Sequence, residues 1–157
     1  MLGPMIGVIG AGACPKDVED LAVEVGRAIA EAGGILVCGG LGGVMEAAAR
    51  GAKAAGGTTV GVLPGPDTTA ANASIDFAIS TNVGHARNVI IVHTSAVLIA
   101  VSGGYGTLSE IALALKAGKR VVALRPRFSI PDVTIAENAQ EAVSLAMRLI
   151  QHHPPFP

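Results

Sequence analysis

The 157-residue sequence predicts one α/β domain: a doubly wound, mostly parallel β-sheet with helices on both faces. Three observations predict it. Short apolar runs alternate along the chain with segments of helical periodicity, as expected when each parallel strand needs a helical crossover to the next. The runs are continuously apolar, the pattern of strands covered on both faces. Glycines, 21 in all, cluster where the runs end, which suits tight strand-to-helix turns and close approach of a backbone to a ligand.

The elements follow in order. "MIGVIG" (5–10) reads as a buried strand. From Val18 the apolar positions Leu21, Ala22, Val25, Ile29 and Ala32 keep helical spacing, with Asp17 as the N-cap. "ILVC" (35–38) is the second strand, and "GGLGG" leads into an Ala-rich helix from about Val44 to Ala55. "TTVGVLP" (58–64) is a third strand closed by Pro64, Gly65 and Pro66, and "DFAIS" (76–80) a short fourth. Periodicity alone leaves "NVIIV" open between strand and helix. The strand "AVLIAV" (96–101) needs a crossover before it, so residues 85–94 are assigned to a helix. A helix opening at Thr107 carries the stripe Leu108, Ile111, Ala112, Leu115 and stops at Gly118. "RVVAL" (120–124) and "DVTIA" (132–136) are the last strands, and a helix from about Ala139 to Gln151 closes the domain. Residues 1–151 thus form one domain, with 152–157 a frayed tail.

Composition narrows the partners. The formal net charge is −1, and no Lys/Arg cluster appears, so neither nucleic acid nor an anionic membrane is an expected partner. A small phosphorylated ligand stays open, because it needs only a few donors. Aromatic residues make up 3% of the chain, leaving Ala, Val, Ile and Leu to build the core. Cys14 and Cys38 lack CxxC spacing and a paired His, so no structural metal is expected and both read as reduced thiols. The N-terminus lacks a basic segment followed by an apolar signal core. The most apolar stretch, Val89 to Val101, is interrupted by His93, Thr94 and Ser95 and is too short to span a bilayer. The protein is therefore expected in the cytoplasm.

In doubly wound sheets the ligand lies beyond the carboxyl ends of the strands, near the point where strand order reverses. "GAGA" (10–13), "GGLGG" (39–43), "PGP" (64–66) and "SGGYG" (102–106) all fall at such ends. Gly10 and Gly12 match the first two glycines of a dinucleotide fingerprint, but Pro15 stands at the third. The second strand ends in Cys38-Gly39-Gly40 with no acid for a ribose diol, so NAD is not expected. None of Lys16, Lys53, Lys116 or Lys119 has the surroundings of a Schiff-base residue, so PLP is not expected either.

"SGGYGTLSE" (102–110) has two readings. Adjacent glycines and a helix start can turn N–H groups and the helix dipole toward an anion held by the loop and the Thr107 hydroxyl. Alternatively, Thr107-x-x-Glu110 fits a capping box that only finishes the helix. At a helix N-terminus, Glu110 is expected in its charged form. "GHARN" (84–88) adds Arg87, whose fork suits a phosphate or ribosyl oxygen; an internal or subunit ion pair is the alternative. His85 reads as a surface or satisfied histidine.

With these motifs in view, the sequence resembles the LOG / molybdenum-cofactor-carrier-like family of small Rossmann-like proteins. The LOG pattern PGGxGTxxE is matched by Ser102, Gly103, Gly104, Tyr105, Gly106, Thr107, Leu108, Ser109 and Glu110, except that Ser102 replaces the proline. Its upstream Arg-Lys is matched by Arg87, with Asn88 in place of the lysine. The carrier branch is similar over residues 42–68, 84–90 and 110–124 as well, and agrees in length. The resemblance implies a Rossmann-like fold, a homodimer or homotetramer, and a ligand site of Arg87, Asn88 and residues 102–107, to which the glycine-rich strand ends add Gly10, Gly12, Gly39 and Gly40. It implies molybdenum cofactor as the bound molecule. The LOG branch implies instead a phosphoribohydrolase acting on nucleoside 5′-monophosphates, with Arg87 orienting substrate and Glu110 stabilising positive charge or activating water. Asn88 removes one positive charge near that site. A Rossmann-like oligomer without a small-molecule site is the third reading, but it leaves four glycine-rich strand ends unexplained.

Overall fold

A computed structural model describes residues 2–152. Seven strands form one parallel sheet in the order β4-β3-β2-β1-β5-β6-β7. They are β1 (Met5–Gly10), β2 (Ile35–Cys38), β3 (Thr59–Leu63), β4 (Phe77–Ser80), β5 (Val97–Val101), β6 (Val121–Leu124) and β7 (Thr134–Ala136). The helices are α1 (Lys16–Glu31), α2 (Val44–Ala54), α3 (Arg87–Thr94), α4 (Tyr105–Lys116) and α5 (Ala139–His152), with a 3₁₀ turn at Gly84–Ala86.

Side chains of each central strand alternate between two cores, because the strand period is two. From β5, Val97, Ile99 and Val101 join Ile6, Val8 and Leu36 beneath α1, α2 and α5. Leu98 and Ala100 join Ile9, Val37 and Val62 on the other side, where α3 supplies Ile91 and Val92 and α4 supplies Ile111 and Ala114. Both layers explain the unbroken apolar runs: β2, β5 and β6 are buried at every position. Each fully buried Val, Leu or Ile stabilises the fold by roughly 1.5–3 kcal/mol against exposure.

Strand order reverses between β1 and β5. The chain leaves β1 for β2 on one side and leaves β5 for β6 on the other. Gly10 and Val101 are register partners at the ends of these strands, so Ala11 and Ser102 open the crevice.

Several boundaries differ from the sequence reading. Helix α1 starts at Lys16 with Pro15 at the N-cap, and Asp17 lies in its first turn. Proline is suited to that place because the helix start has no use for its missing N–H. Helix α4 starts at Tyr105, two residues before Thr107, with Gly104 as its N-cap. Strands β3, β4, β5, β6 and β7 are trimmed at one or both ends. A side-chain cap does occur at α5, where Asn138 Oδ1 accepts from Glu141 N–H at 2.9 Å. Glu141 Oε2 in turn accepts from Glu137 N–H at 2.7 Å. His152, assigned to the frayed tail, is the last residue of α5; residues 153–157 lie outside the described residues. No helix among the described residues is long and apolar enough to cross a membrane.

Candidate functional site

Three connections meet at the crevice: those following β1, β2 and β5. Their glycines serve different ends. A Cβ on Gly10 would stand 2.6 Å from Val44 Cγ1, so this glycine lets α2 pack against the end of β1. Gly12 faces open space, and the backbone there lies against Gly43, whose φ of 64° few side chains tolerate. Gly39 seats an arginine: a Cβ there would stand 2.4 Å from Arg87 Nη2. Gly40, at φ 75°, turns its carbonyl to Asn72, whose backbone N–H donates to it at 2.9 Å.

Arg87 opens α3 and is 7% exposed. Its Nη2 donates to the Gly39 carbonyl at 3.3 Å, and its Nη1 donates to Asn88 Oδ1. Its Nε is buried and has no partner. No carboxylate pairs with it among the described ion pairs, which removes the internal ion pair as the reason for its burial. Burial pulls the guanidinium below its usual pKa, and the field of Glu110 opposes that shift. A buried cation without a counter-ion is unfavourable. Such a group is a candidate for binding an anion supplied from outside.

The β5–α4 connection is bent tightly. Ser102 has φ 51° and Gly103 φ 101°. The first helical bond of α4 runs from Leu108 N–H to Gly104 O at 3.0 Å, so the amides of Tyr105, Gly106 and Thr107 have no intrahelical acceptor. Thr107 is 4% exposed. Its Oγ1 would lie 2.2 Å from a Cβ on Gly103, so the hydroxyl faces the loop.

The capping box is not formed. Thr107 lies inside the helix, and α4 has no side-chain cap. Glu110 sits one turn further on, too deep to reach the free amides. It is not held in its charged form either. Burial pushes its carboxyl up to about 7, and Arg87 only partly counters the shift. A group half-protonated near neutral pH can give or take a proton.

The crevice thus brings together Gly39, Arg87, Asn88 and Glu110, with residues 102–107 forming its β5 wall. His85 is exposed. The sequence reading missed Asn72, whose Nδ2 donates to Leu41 O at 2.9 Å and braces the β2 loop. It also missed Arg127 and Phe128, which pack over the start of α4. An arginine beside a Phe at a strand end, in a chain so poor in aromatics, was the available signal. Cys38 is buried beside the site with its thiol pushed up to about 11 by desolvation, which makes it inert as a nucleophile. No cluster of three or more His, Cys, Asp or Glu suited to a metal occurs among the described residues.

Strand order, crevice and glycine loops define a Rossmann-like protein with a candidate ligand site at its switch point. The chain belongs to the SLOG cluster4 family, whose sequence profile matches residues 3–154. An uncharacterised protein of Archaeoglobus fulgidus is 54% identical over 139 residues, 88% of this chain and 91% of its own. A cytokinin riboside 5′-monophosphate phosphoribohydrolase of Mycobacterium tuberculosis is 43% identical over 105 residues, but that match covers 63% of this chain and 56% of the other. Among solved structures, the molybdenum cofactor binding protein of Rippkaea orientalis superposes with a TM-score of 0.88 at 41% identity, covering 96% of this chain and 99% of that one. The molybdenum cofactor carrier protein of Chlamydomonas reinhardtii gives 0.87 at 40% identity over 95% and 99%.

Proposed function

We propose that this protein binds a phosphorylated, nucleotide-like small molecule and carries molybdenum cofactor as its cargo. The breadth of likeness carries this reading. The molybdenum cofactor proteins match at 40–41% identity over 95–96% of the chain, whereas the phosphoribohydrolase matches over 63%. The site is chemically apt for the phosphate of such a cargo. Free amides at the start of α4, the unpartnered Thr107 hydroxyl and residues 102–106 form the cradle. Buried Arg87, steadied by Asn88 and Gly39, supplies fixed positive charge. Gly12, which faces open space, keeps the facing loop small enough for a ligand to enter.

A second reading, an N-glycosidic hydrolase, is favoured by one observation: Glu110, held near pKa 7 beside Arg87. In that reading Arg87 orients the ribosyl phosphate and Glu110 handles the proton or the positive charge at the ribose. The deciding experiment incubates the protein with molybdopterin and a panel of nucleoside monophosphates, measuring retained ligand and free base together. Retention of molybdopterin without base release is the expected result. Base release that disappears in Glu110→Gln would establish the hydrolase instead.

The working form is a homodimer or homotetramer in the cytoplasm, with neither membrane nor nucleic acid as a partner. Assembly is supported by the lightly covered face of the sheet. Phe77, Ile79, Val83, Val89 and Ile90 are exposed there, and α3 presents no Lys, Arg, Asp or Glu to solvent. Contiguous exposed apolar surface marks an interaction site. Sedimentation should find an oligomer in the wild type and a monomer in Ile90→Glu; a wild-type monomer would remove this part of the reading.

A further inference from the structure

Beside the glycine loop, on the α3–α4 face of the sheet, lies a shallow pocket between α4 and the segment that leaves β6. Ala100, Ile111 and Ala123 make its floor, and Gly104, Thr107 and Arg127 stand among its walls. Arg127 has no hydrogen-bond or ion-pair partner among the described residues. Two rings hold it: its Cζ lies 5.8 Å from the centroid of Tyr105 and 5.6 Å from that of Phe128. The rings themselves are 5.4 Å apart. The chain contains one Tyr, three Phe and no Trp, and two of those four aromatics are spent here on one exposed guanidinium. A guanidinium within cation–π range of two rings, and without a hydrogen-bond partner, keeps its N–H donors free for an oxyanion.

Those donors are near the right place. A Cβ on Gly104, the N-cap of α4, would stand 3.8 Å from Arg127 Nη1. Thr107 lines the same pocket, 4% exposed, with its hydroxyl turned to the loop and unpartnered. Two features therefore converge on one spot: the Thr107 hydroxyl, which has no hydrogen-bond partner among the described residues, and a cation positioned by rings with its donors unused.

We propose that Arg127 is a phosphate-selecting residue of the ligand site. It closes over the phosphomonoester held by residues 102–107, from the side opposite Arg87, which opens α3 and rests on the β2 loop at Gly39. It supplies from the β6–β7 segment a positive charge that Asn88 does not. This rests on the phosphate-cradle reading above, and it adds a specific discrimination: Arg127 recognises the phosphate group and not the base or pterin.

Two ligand pairs separate the inference from the reading beneath it: AMP against adenosine, and molybdopterin against its dephosphorylated form, each titrated by calorimetry. Arg127→Gln should lose about tenfold in affinity for the phosphorylated members, the worth of one charge-assisted contact, and nothing for the others. Its melting temperature should not move, because the side chain is exposed. A variant that keeps the wild-type preference for phosphate overturns the role of Arg127 while leaving the cradle standing. An equal loss for all four ligands overturns it too, since that would mark a general packing role. A wild type with no preference for the phosphorylated member of either pair removes the cradle and this inference together.

Discussion

Arg87 and Glu110 face each other across the crevice without forming an ion pair. The guanidinium lowers the affinity of Glu110 for its proton, but burial raises it more, and the carboxyl titrates at about 7. The folded chain therefore binds this proton more tightly than an unfolded one, where the ordinary value is 4.5. Stability is present in full below the unfolded value and falls as pH rises through the folded one. The loss across that window should be about 2 kcal/mol, discounted for partial exposure. Glu110→Gln should flatten the decline and be the more stable protein at pH 8. Urea melts at pH 5 and pH 8 test this, and a wild type that gains stability between them would refute the assignment.

Ser102 separates this chain from the LOG pattern that its neighbours match. Its φ of 51° is closed to proline, whose ring holds φ near −65°. Its N–H donates to Leu124 O at 2.8 Å, a bond proline cannot make. Ser102→Pro, which would complete the pattern, should lower stability by about 2–4 kcal/mol. Ser102→Gly should be neutral or stabilising by up to about 1 kcal/mol, since glycine reaches the left-handed region without strain. Equal denaturation midpoints for Ser102→Pro and the wild type would show that this loop can take the other conformation.

The strands were legible because both faces of the sheet are covered, so β2, β5 and β6 had to be written as unbroken apolar runs. The crevice was legible because the turns at its rim need glycine. Other features left a weaker trace. The start of α4 was misplaced because Thr107-x-x-Glu110 imitates a capping box, while the true N-cap, Gly104, acts through its backbone and carries no side-chain signal. Gly10 was assigned to the ligand, yet its neighbour is Val44, a packing partner that spacing does not reveal. Arg127 and Phe128 lie in a segment without periodicity, and only the third dimension brings them over Tyr105.

Arg87 should show opposite signs for stability and function. It is buried, its Nε is unpartnered, and the field of Glu110 offsets its burial only in part, without an ion pair. Replacing such a charge by an apolar side chain of similar length is often neutral or stabilising. Arg87→Met should therefore melt at or above the wild-type temperature, by up to about 2 kcal/mol, while losing retention of the phosphorylated ligand. A strongly destabilised Arg87→Met would mean that its bonds to Gly39 and Asn88 hold the fold, and that the arginine is structural.

Thr107→Val offers the sharpest separation of the two readings of the glycine-rich motif. The change conserves shape and removes only the hydroxyl. Were Thr107 a cap, its loss would destabilise α4 by about 1 kcal/mol. The hydroxyl instead has no partner among the described residues, and the residue is 4% exposed, so valine should leave stability unchanged or raise it by a few tenths of a kcal/mol. Affinity for the phosphorylated ligand should fall about tenfold, because the hydroxyl is one of few donors facing the anion. Thermal melts with a ligand titration on the same preparation give both signs at once. A destabilised variant with unchanged affinity would return the motif to a structural role, with the phosphate held by backbone amides alone.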